Sequence, residues 1–453
     1  MKPSKYNLLY SVGEHNCLFN ALRRSLHIVD PNVVEALERL ASSDPGWSRT
    51  ISQEQMTTLT ASGYIIEDAI DEDQVLMEQR AFFQHDLSTL ALTVAPTMDC
   101  NFACPYCFEG PKEDKLHMSP EIMDATVSFA ERVCSPYTGK LQVMWFGGEP
   151  LLALNEIELF TTKIRTLIER RGMTYASRII TNGYGLTRKV AERLRRLDVT
   201  RAQITVDGTE AYHDKRRFLK VNSGSTYRRI IENICDVCDL ILITLRVNLD
   251  RSNIEDFIPL LQELRAMHVL DKVHVSPAFT QDYGEWTQQA YCDKLEYDDA
   301  LSSVYHEARE YGVQVYNLPR AVRVFCGAQR DLSWTVDPSG NLHKCWNTLN
   351  KPEGRVGSVL SGVDEEAVAR WLAWGSGGEK CNACSLRPLC MSGCAYDALI
   401  SGGPAVCTVS DAVVTHSIAA VIDHRLHPVG KPRRVETLVA SVDPAEGGGE
   451  LCD

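Results

Sequence analysis

The sequence predicts an α/β fold in which six β-α units form a parallel sheet, closed or partly closed as a TIM-like barrel. From Leu87 to about Asn317, short apolar segments alternate with amphipathic segments whose apolar residues recur at helical spacing. Alternation of this kind is typical of a parallel sheet covered by helices. The predicted strands are Leu90–Val94, Leu141–Phe146, Ser177–Ile180, Ala202–Val206, Leu242–Val247 and Val273–Pro277, and the predicted helices include Ile157–Arg171, Arg188–Leu197 and Ile254–Met267.

The composition indicates a folded protein and argues against several classes of function. The chain has 453 residues, 44% of them apolar, which predicts about two to four domains. A formal net charge of −13 argues against nonspecific nucleic-acid binding, which needs clustered lysine and arginine. The first residues lack the apolar run of a signal peptide, and stretches such as Leu240–Leu245 are far shorter than the ~20 residues of a membrane span. We therefore expect a cytoplasmic protein that binds neither nucleic acid nor membrane.

Residues 1–85 are predicted to form a small domain ahead of the barrel. A hairpin of strands followed by short helices is typical of winged-helix modules. A simple cap on the next domain is the alternative interpretation. The predicted elements are a strand Tyr6–Val12, a turn at 13–16, a returning strand Cys17–Val29, a helix from Pro31 capped by Asp30, a helix Gln53–Leu59 and a strand Tyr64–Ile66.

The barrel is predicted over residues 86–317, and the alternation of strands and helices is lost after it. Residues 318–410 are rich in Cys, Gly and Pro, which favours a small domain held together by metal clusters more than by an apolar core. Residues 411–453 are expected to contain a C-terminal helix and a flexible tail, because the last part is rich in glycine and acidic residues.

Ten of the 16 cysteines fall into two groups whose spacing has a chemical meaning. Without an export signal, metal ligands explain so many cysteines better than disulfides do. Cys100, Cys104 and Cys107 form a C-x3-C-x2-C loop directly after the first predicted strand, where a barrel builds its site. Three thiolates leave one iron of a cubane cluster without a protein ligand, so that this iron can bind a reactant. Zinc is the alternative, although zinc sites of this type usually reach four ligands through paired C-x2-C units.

This loop resembles the radical S-adenosylmethionine (SAM) family, whose C-x3-C-x-aromatic-C motif follows the first strand of a β-α barrel. The resemblance implies a [4Fe–4S] cluster on Cys100, Cys104 and Cys107, with the open iron chelating the amino and carboxylate groups of SAM. It also implies reductive cleavage of SAM to a 5′-deoxyadenosyl radical that abstracts a hydrogen from the substrate. The protein then supplies placement and electrostatics.

A glycine-rich turn after the second predicted strand extends the resemblance. Gly147, Gly148, Glu149 and Pro150 are similar to the family's GGEP motif, which implies that Glu149 holds the SAM amino group. The two glycines permit a close approach of the backbone. Taken alone, the four residues are more often an ordinary turn.

Two later strand ends resemble other parts of a SAM pocket. The stretch from Gln203 to Arg217 resembles the Q-x-S-[LV]-D-G…HD-x2-R segment of one subgroup, with Thr205 in place of a serine that contacts SAM. Arg246 and Asn248 resemble an R-x-N pattern lining the same pocket. Each of these polar residues could instead cap a strand end or form a surface ion pair.

The second group of cysteines resembles the SPASM domain in all seven cysteines and in the glycine after the first of them, Gly340. The resemblance implies one auxiliary [4Fe–4S] cluster on Cys381, Cys384, Cys390 and Cys407, and another on Cys326, Cys345 and Cys394. The chain would then carry three clusters in all. No cysteine lies between Cys292 and Cys326. The auxiliary cluster on Cys326, Cys345 and Cys394 could therefore have an open iron that binds a substrate thiolate, unless Cys292 or a ligand other than cysteine completes it.

Six cysteines remain outside these motifs. Cys235 and Cys238 are predicted to lie within a helix as packing residues. Cys452 lies in the predicted tail and has no supporting neighbours. The other members of this set are Cys17, Cys134 and Cys292.

The N-terminal region decides which function we favour. Its opening residues and its hairpin-plus-helix pattern resemble the leader-recognition domains of maturases of ribosomally made peptides. The resemblance implies a precursor peptide whose leader adds as a strand to an exposed sheet edge, and an electron donor such as flavodoxin or ferredoxin. We predict an oxidative cross-link within that peptide. The open iron of the auxiliary cluster slightly favours a thioether, whereas a carbon–carbon or carbon–oxygen link fits the other residues equally well.

Two alternatives stay open. An anaerobic sulfatase-maturating enzyme shares the SPASM cysteines and the D-G…HD-x2-R segment, but would not be expected to carry about 85 residues ahead of the barrel. A noncatalytic iron–sulfur protein is the other alternative, and the retained Glu149 and loop cysteines argue against it.

Overall fold

The N-terminal region contains two small antiparallel sheets and three helices. The computed structural model describes residues 1–109, 115–280, 294–313, 317–374, 378–400 and 407–426. In the N-terminal region the strands are β1 (Lys2–Pro3), β2 (Asn7–Val12), β3 (His15–Asn20), β4 (Ser25–Val29) and β5 (Ile65–Ile66), and the helices are α1 (Pro31–Ala41), α2 (Gln53–Ala61) and α3 (Glu72–Gln84). One sheet has the order β2-β3-β4, and the other pairs β1 with β5.

The prediction of a single returning strand over Cys17–Val29 is wrong. Strand β3 ends at Asn20, the chain turns, and β4 begins at Ser25. Asn20 fixes the turn because its side-chain oxygen accepts a hydrogen bond from Arg23 N (2.8 Å) and its backbone oxygen accepts one from Arg24 N (2.7 Å). Arg24 has a φ of 61°, a conformation that breaks a strand.

The six predicted barrel strands are confirmed, and all of them lie parallel in one sheet. They are β6 (Thr89–Val94), β7 (Lys140–Trp145), β8 (Thr174–Thr181), β9 (Val199–Thr205), β10 (Leu242–Leu249) and β11 (His274–Phe279). From β6 to β11, consecutive strands are paired in parallel with each other. The helices that cover this part are α4 (Pro120–Val133), α5 (Leu154–Arg171), α6 (Arg188–Arg196), α7 (Glu210–Arg216), α8 (Tyr227–Val237), α9 (Phe257–Ala266) and α10 (Lys294–Glu310).

Four more strands extend the same sheet to ten within the described residues. These are β12 (Ser333–Val336), β13 (Asn341–His343), β14 (Arg355–Ser358) and β15 (Gly362–Val363), and the sheet order is β11-β10-β9-β8-β7-β6-β12-β13-β14-β15. Strand β12 runs parallel to β6 and occupies its second edge, so that β6 and β11 are not paired with each other. Within the described residues, no pairing of β6 with β11 closes the sheet, which excludes the fully closed form of the prediction.

The segment after residue 317 contributes to the main apolar core. Trp334, Val336, Leu342, Val356 and Trp371 pack in one cluster with the barrel strands and helices. The segment is therefore held by apolar packing to a larger extent than its composition predicts. Its helices are α11 (Glu365–Ala373), α12 (Glu379–Asn382), α13 (Arg387–Cys390), α14 (Ala395–Leu399) and the last described helix, α15 (Asp411–Leu426).

A second apolar core joins the N-terminal region to the C-terminal cysteines. One face of the β2-β3-β4 sheet packs against residues of α13, of its flanking turns and of α15, and the opposite face packs against α1 and α2. Among the described helices, none is both long enough and apolar enough to cross a membrane. The predicted tail beyond residue 426 lies outside the described residues.

Candidate functional site

Polar side chains follow the barrel strands at their carboxyl ends, where parallel sheets build sites. Strand β10 shows how they reach the surface. Ile243, Leu245 and Val247 are buried, whereas Arg246 and Asn248 alternate with them and are partly exposed. The apolar residues thus bind the strand to the covering helices, and the polar residues face the other side of the sheet.

The cysteine loop follows β6 and is fixed at both ends. The Asp99 carboxylate accepts a hydrogen bond from Cys100 N at 3.0 Å. Backbone hydrogen bonds join the loop to the segment after α7, from Ala103 N to Phe218 O (3.0 Å) and from Lys220 N to Asn101 O (2.8 Å). All three loop cysteines are partly buried, and none of them forms a disulfide. The loop is therefore held against the stretch that carries Arg217.

Gly147 and Gly148 allow the turn after β7 to lie directly on the start of the cysteine loop. A Cβ at Gly148 would lie 2.2 Å from Asp99 O, and a Cβ at Gly147 would lie 2.4 Å from Thr97 O. Two hydrogen bonds use this close approach, from Gly148 N to Thr97 O (3.1 Å) and from Glu149 N to Asp99 O (2.8 Å). The glycines thus lock two predicted site segments together.

Glu149 is buried (2% exposed) and its carboxylate is bound by neighbouring groups of the chain. Oε1 accepts hydrogen bonds from Thr181 Oγ1 (2.6 Å) and Leu151 N (3.0 Å), and Oε2 accepts one from Asn182 N (2.7 Å). Burial raises the pKa of this carboxyl, and the hydrogen bonds and the charge of Arg217 oppose the rise. The carboxylate is fixed by donors at the end of β8.

Arg217 contacts the cysteine loop through Tyr106. Its Nη1 donates a hydrogen bond to the Tyr106 phenol oxygen (2.6 Å), and its guanidinium lies 5.7 Å from the centre of the Phe102 ring. The Tyr106 hydroxyl donates in turn to the Asp207 carboxylate. Burial raises the pKa of the Cys104 thiol to about 11, and the charge of Arg217 opposes that rise. The arginine therefore stabilises negative charge at the loop.

A second arginine completes this buried charged group. Arg216 donates from Nη1 to Asp250 (2.7 Å), lies 3.6 Å from the Asp207 carboxylate and stacks 5.0 Å from the Tyr106 ring centre. The arginines and aspartates together surround Tyr106, which stands between Cys104 and Cys107 in the loop. Two charges of each sign offset one another where water is largely excluded.

The remaining residues of the HD-x2-R segment are structural. His213 is fully buried and contacts Asp207 N (3.3 Å) and Thr226 Oγ1 (3.1 Å), and burial holds its pKa well below the usual value. The Asp214 carboxylate accepts hydrogen bonds from Thr226 N (2.8 Å) and Tyr227 N (3.0 Å) at the start of α8. These contacts place Arg217 beside the loop.

Thr205, Arg246 and Asn248 form one polar group across β9 and β10. Thr205 and Arg246 are paired in register, so that their side chains point to the same face of the sheet. Arg246 Nε donates to Asn248 Oδ1 at 2.8 Å. Asn248 N is also joined to the Asp207 carboxylate (3.3 Å), which connects this group to the one around Tyr106.

Six of the seven C-terminal cysteines fall into two groups that influence one another electrostatically. Burial raises the pKa of Cys345 well above its usual value, and the nearby thiols of Cys326 and Cys394 raise it further. Burial likewise raises the pKa of Cys390, with further contributions from Cys407 and Cys381. Cys326, Cys345 and Cys394 thus lie near one another, as do Cys381, Cys390 and Cys407, and cluster binding by these sets stays a prediction.

The cysteine thiols of the loop and of the C-terminal segment are donors of the kind that iron–sulfur clusters bind. In the described part of the chain, no three His, Cys, Asp or Glu side chains are positioned to hold one ion. The ligands of a cubane each bind a different iron and so stand further apart than those of a single ion. Three thiols in the loop and two separate groups of thiols near the C-terminus have the chemistry that such clusters need.

The other cysteines that the structure describes form no disulfide and have different surroundings. Cys17 is buried in the second core, and Cys238 packs partly against the main core. Cys235 is exposed, so the prediction that it is a packing residue is wrong. Cys292 and Cys452 lie outside the described residues.

The sequence analysis missed several residues of this site. Thr181 and Asn182 hold Glu149, and their position at the carboxyl end of β8 is a signal that could have identified them. Tyr106 was noticed only as the aromatic residue of the motif. The partnership of Arg216 with Asp250 depends on a contact between distant segments that carries no local pattern.

Comparisons with known proteins match the central part of the chain. The family model of the Radical SAM superfamily matches residues 94–264. A curated relative, GTP 3′,8-cyclase of Corynebacterium glutamicum, is 29% identical over 143 residues, which are 31% of this chain and 36% of the relative. The chain thus matches only about a third of that relative's length.

Two solved structures share the fold over most of the chain. Native anSMEcpe with bound AdoMet has a TM-score of 0.58 and 16% identity, over 74% of this chain and 97% of that chain. Streptococcus suis SuiB bound to precursor peptide SuiA has a TM-score of 0.53 and 13% identity, over 91% of this chain and 99% of that chain. At these identities the likeness is one of fold.

Proposed function

We propose, from the premise that residues 94–264 of this chain form a radical SAM domain, that the protein is a maturase of ribosomally made peptides. Members of this superfamily are enzymes, and the family implies SAM and a [4Fe–4S] cluster. The substrate is a precursor peptide, and the product carries an oxidative cross-link between two of its own residues. A thioether is the favoured link, and a carbon–carbon or carbon–oxygen bond is the alternative.

The observation that carries this proposal is the N-terminal region, which precedes the radical SAM domain and packs onto the rest of the chain. The fold of SuiB, which was solved with a precursor peptide, covers 91% of this chain, whereas that of anSMEcpe covers 74%. The difference is about the size of residues 1–85. Within the described residues, β2 and β4 each pair only with β3, so that the sheet has two edges to which a leader could add as a strand.

The site residues are assigned by their place around the loop. Cys100, Cys104 and Cys107 would hold the cluster, and Glu149, on the turn locked to the loop, would bind the SAM amino group. Gly147 and Gly148 keep that turn close. When bound, SAM and the clusters supply a hydrogen-abstracting radical and an acceptor for the surplus electron.

The polar group on β9 and β10 would line the same pocket. The Thr205 hydroxyl and the Asn248 amide can each bond the carboxylate or ribose of SAM. Arg217, because it is bound to Tyr106, would act on SAM through the loop and through its charge. The pocket would thus be polar on this side.

The C-terminal cysteines would hold two auxiliary clusters. Cys381, Cys384, Cys390 and Cys407 would bind one of them. The other would bind Cys326, Cys345 and Cys394, and its fourth iron would be free for a substrate thiolate. This open iron favours a thioether product. A flavodoxin or ferredoxin would supply electrons, and a thiol-reducing compartment such as the cytoplasm would preserve the free cysteines.

The test is coexpression, without oxygen, of this protein with the short peptide encoded beside its gene. We expect the peptide to become lighter by two hydrogens, and fragmentation to locate the new bond. Cys104→Ala should abolish the change, whereas the exposed thiol of Cys235 should be dispensable in a matched Cys235→Ala variant. An unchanged mass without deuterium uptake in heavy water would exclude that peptide as substrate.

A sulfatase-maturating enzyme is the second candidate, because one such enzyme is among the structural neighbours, with a TM-score of 0.58. It would oxidise one serine or cysteine of a partner protein to formylglycine. A synthetic sulfatase peptide distinguishes the two functions. Its oxidation by this protein, together with no change in the neighbouring peptide, would favour the second candidate.

A further inference from the structure

The N-terminal region contacts the segment that carries Cys381, Cys384 and Cys390 through a charged contact centred on Asp73 of α3. We call these three cysteines and Cys407 the second set. The Asp73 carboxylate accepts a hydrogen bond from Tyr6 Oη (2.8 Å) and lies 3.5 Å from Arg387 Nη1. Lys5 bonds the same carboxylate and also donates to Asn382 O (3.2 Å). Arg387 and Asn382 lie between or beside the cysteines at 381, 384 and 390.

An apolar contact surrounds this charged one. Tyr6, Phe19 and Leu76 of the N-terminal region share a core with Leu389 and Met391, and all five are buried. Cys384 packs against the same core. Leu389 and Met391, which cover part of one face of the N-terminal sheet, thus lie along the chain between cysteines that are proposed cluster ligands. Together with α15, the cysteine segment completes a core that the N-terminal region does not complete alone.

The cysteine segment has little structure of its own to hold this surface. Helices α12 and α13 have four residues each, far fewer than a helix needs for stability in isolation. Met391, Ser392 and Gly393 are three consecutive residues with φ of 46°, 70° and 78°. The first two are not glycines, so this turn is strained. Cys390 and Cys394 flank the turn and belong to different proposed clusters.

We propose that metal loading of the set Cys381, Cys384, Cys390 and Cys407 holds the surface on which the N-terminal region docks. The inference rests on the proposed function, which assigns a cluster to this set. Cross-linking the four thiols through one cluster fixes the two short helices and the strained turn, and with them the positions of Leu389 and Met391. Docking of the peptide-binding region and loading of this cluster are then linked, and each stabilises the other.

Hydrogen exchange on the full, anaerobically reconstituted chain tests this linkage. We expect Cys384→Ser to lower the protection of β2–β4 and α3 by about tenfold or more. The matched control is Cys326→Ser, which removes a ligand of the other set and contacts the main core. That variant should leave the protection of residues 1–85 within about twofold of the unmodified chain.

Iron content separates failure of the inference from failure of the proposed function. If the reconstituted chain contains iron for the cluster on Cys100, Cys104 and Cys107 alone, the proposed auxiliary clusters are wrong and the inference is overturned with them. If the C-terminal sets do contain iron, and Cys384→Ser leaves the N-terminal protection unchanged, only the inference is overturned.

The reverse measurement applies even if Cys384→Ser does not fold. Asp73→Asn weakens the docking contact from the N-terminal side. We expect a chelator to remove iron from the second set several-fold faster in this variant than in the unmodified chain. Asp44→Asn is the control, because Asp44 contacts Arg39 and Gly46 within the N-terminal region. Equal rates of iron loss in the two variants would contradict the linkage.

Discussion

Arg217 donates a hydrogen bond to Tyr106 at 2.6 Å and so ties the end of α7 to the cysteine loop. The contact matters because Tyr106 stands between two predicted cluster ligands. The phenol hydroxyl also donates to the Asp207 carboxylate, so that a buried positive and a buried negative group meet at one tyrosine. The loop is therefore positioned by one charge at the end of α7 and one that follows β9, in addition to its own backbone hydrogen bonds.

Replacement of Arg217 by methionine should damage both the fold and the site. The change leaves Asp207 with less positive charge nearby, and the loss of one member of a buried charged group costs about 3–5 kcal/mol. We expect the rate of 5′-deoxyadenosine formation to fall at least about tenfold. A misplaced loop that raises the activation free energy by about 1.4 kcal/mol would have this effect. Product chromatography and denaturant unfolding measure the two effects. Arg228→Met, at an exposed ion pair with Glu210, should change neither. Equal activity of the two variants would refute the role of the contact.

Gly148→Ala should displace the cysteine loop. The added Cβ would lie 2.2 Å from Asp99 O and 2.5 Å from Met98 O, and backbone atoms cannot move aside as a flexible side chain can. We expect loss of the iron bound by the loop and no SAM cleavage, measured by iron analysis after reconstitution of a variant that lacks the C-terminal cysteines. Gly139→Ala is the matched control, because its Cβ would meet no atom within 4 Å. Full iron content in Gly148→Ala would show that the loop can shift without harm.

The sequence predicts the barrel well because its signals are local. Alternating apolar segments such as Leu242–Val247 locate the strands, and the cysteine spacing locates the loop. The turn after Asn20 was missed because it depends on a buried asparagine that bonds Ser4 and Gly63, far away in the chain. The pairing of β12 with β6 was also missed. Strand β12 has only four residues, which are too few to show a recognisable alternation of apolar and polar residues.

The charged group around Tyr106 could not be predicted for a different reason. Arg216 and Arg217 read as a short basic run, and runs of that kind usually face solvent. In the folded chain both side chains are less than a tenth exposed, because Asp207 and Asp250 from two other strand ends balance their charge. Charge balance between distant segments is a property of the fold and leaves no local pattern.

Glu149→Gln should change how stability depends on pH. Burial raises the pKa of Glu149 above its ordinary 4.5, so that the folded chain binds this proton more tightly than the unfolded chain does. The free energy of unfolding therefore falls as pH rises from about the unfolded pKa to the folded one, and is level above it. The glutamine variant should lack this part of the slope. Denaturant titrations of both proteins across acidic pH measure the difference, and identical slopes would contradict the shift.

The hydroxyl of Thr205 should decide how well SAM binds, and two substitutions separate that effect from packing. Thr205 is buried at the end of β9 and is paired with Arg246. Thr205→Ser keeps the hydroxyl, whereas Thr205→Val keeps the shape and removes it. A hydrogen bond to a charged group contributes about 1.5–3 kcal/mol, so the valine variant should bind SAM roughly ten- to a hundredfold more weakly. Equilibrium binding to the reconstituted protein measures this directly. Because the serine variant loses only a methyl group, we expect its affinity to stay within about threefold of the unmodified chain. If valine binds SAM as well as serine does, Thr205 is a packing residue, and the polar side of the pocket must be built by Arg246 and Asn248.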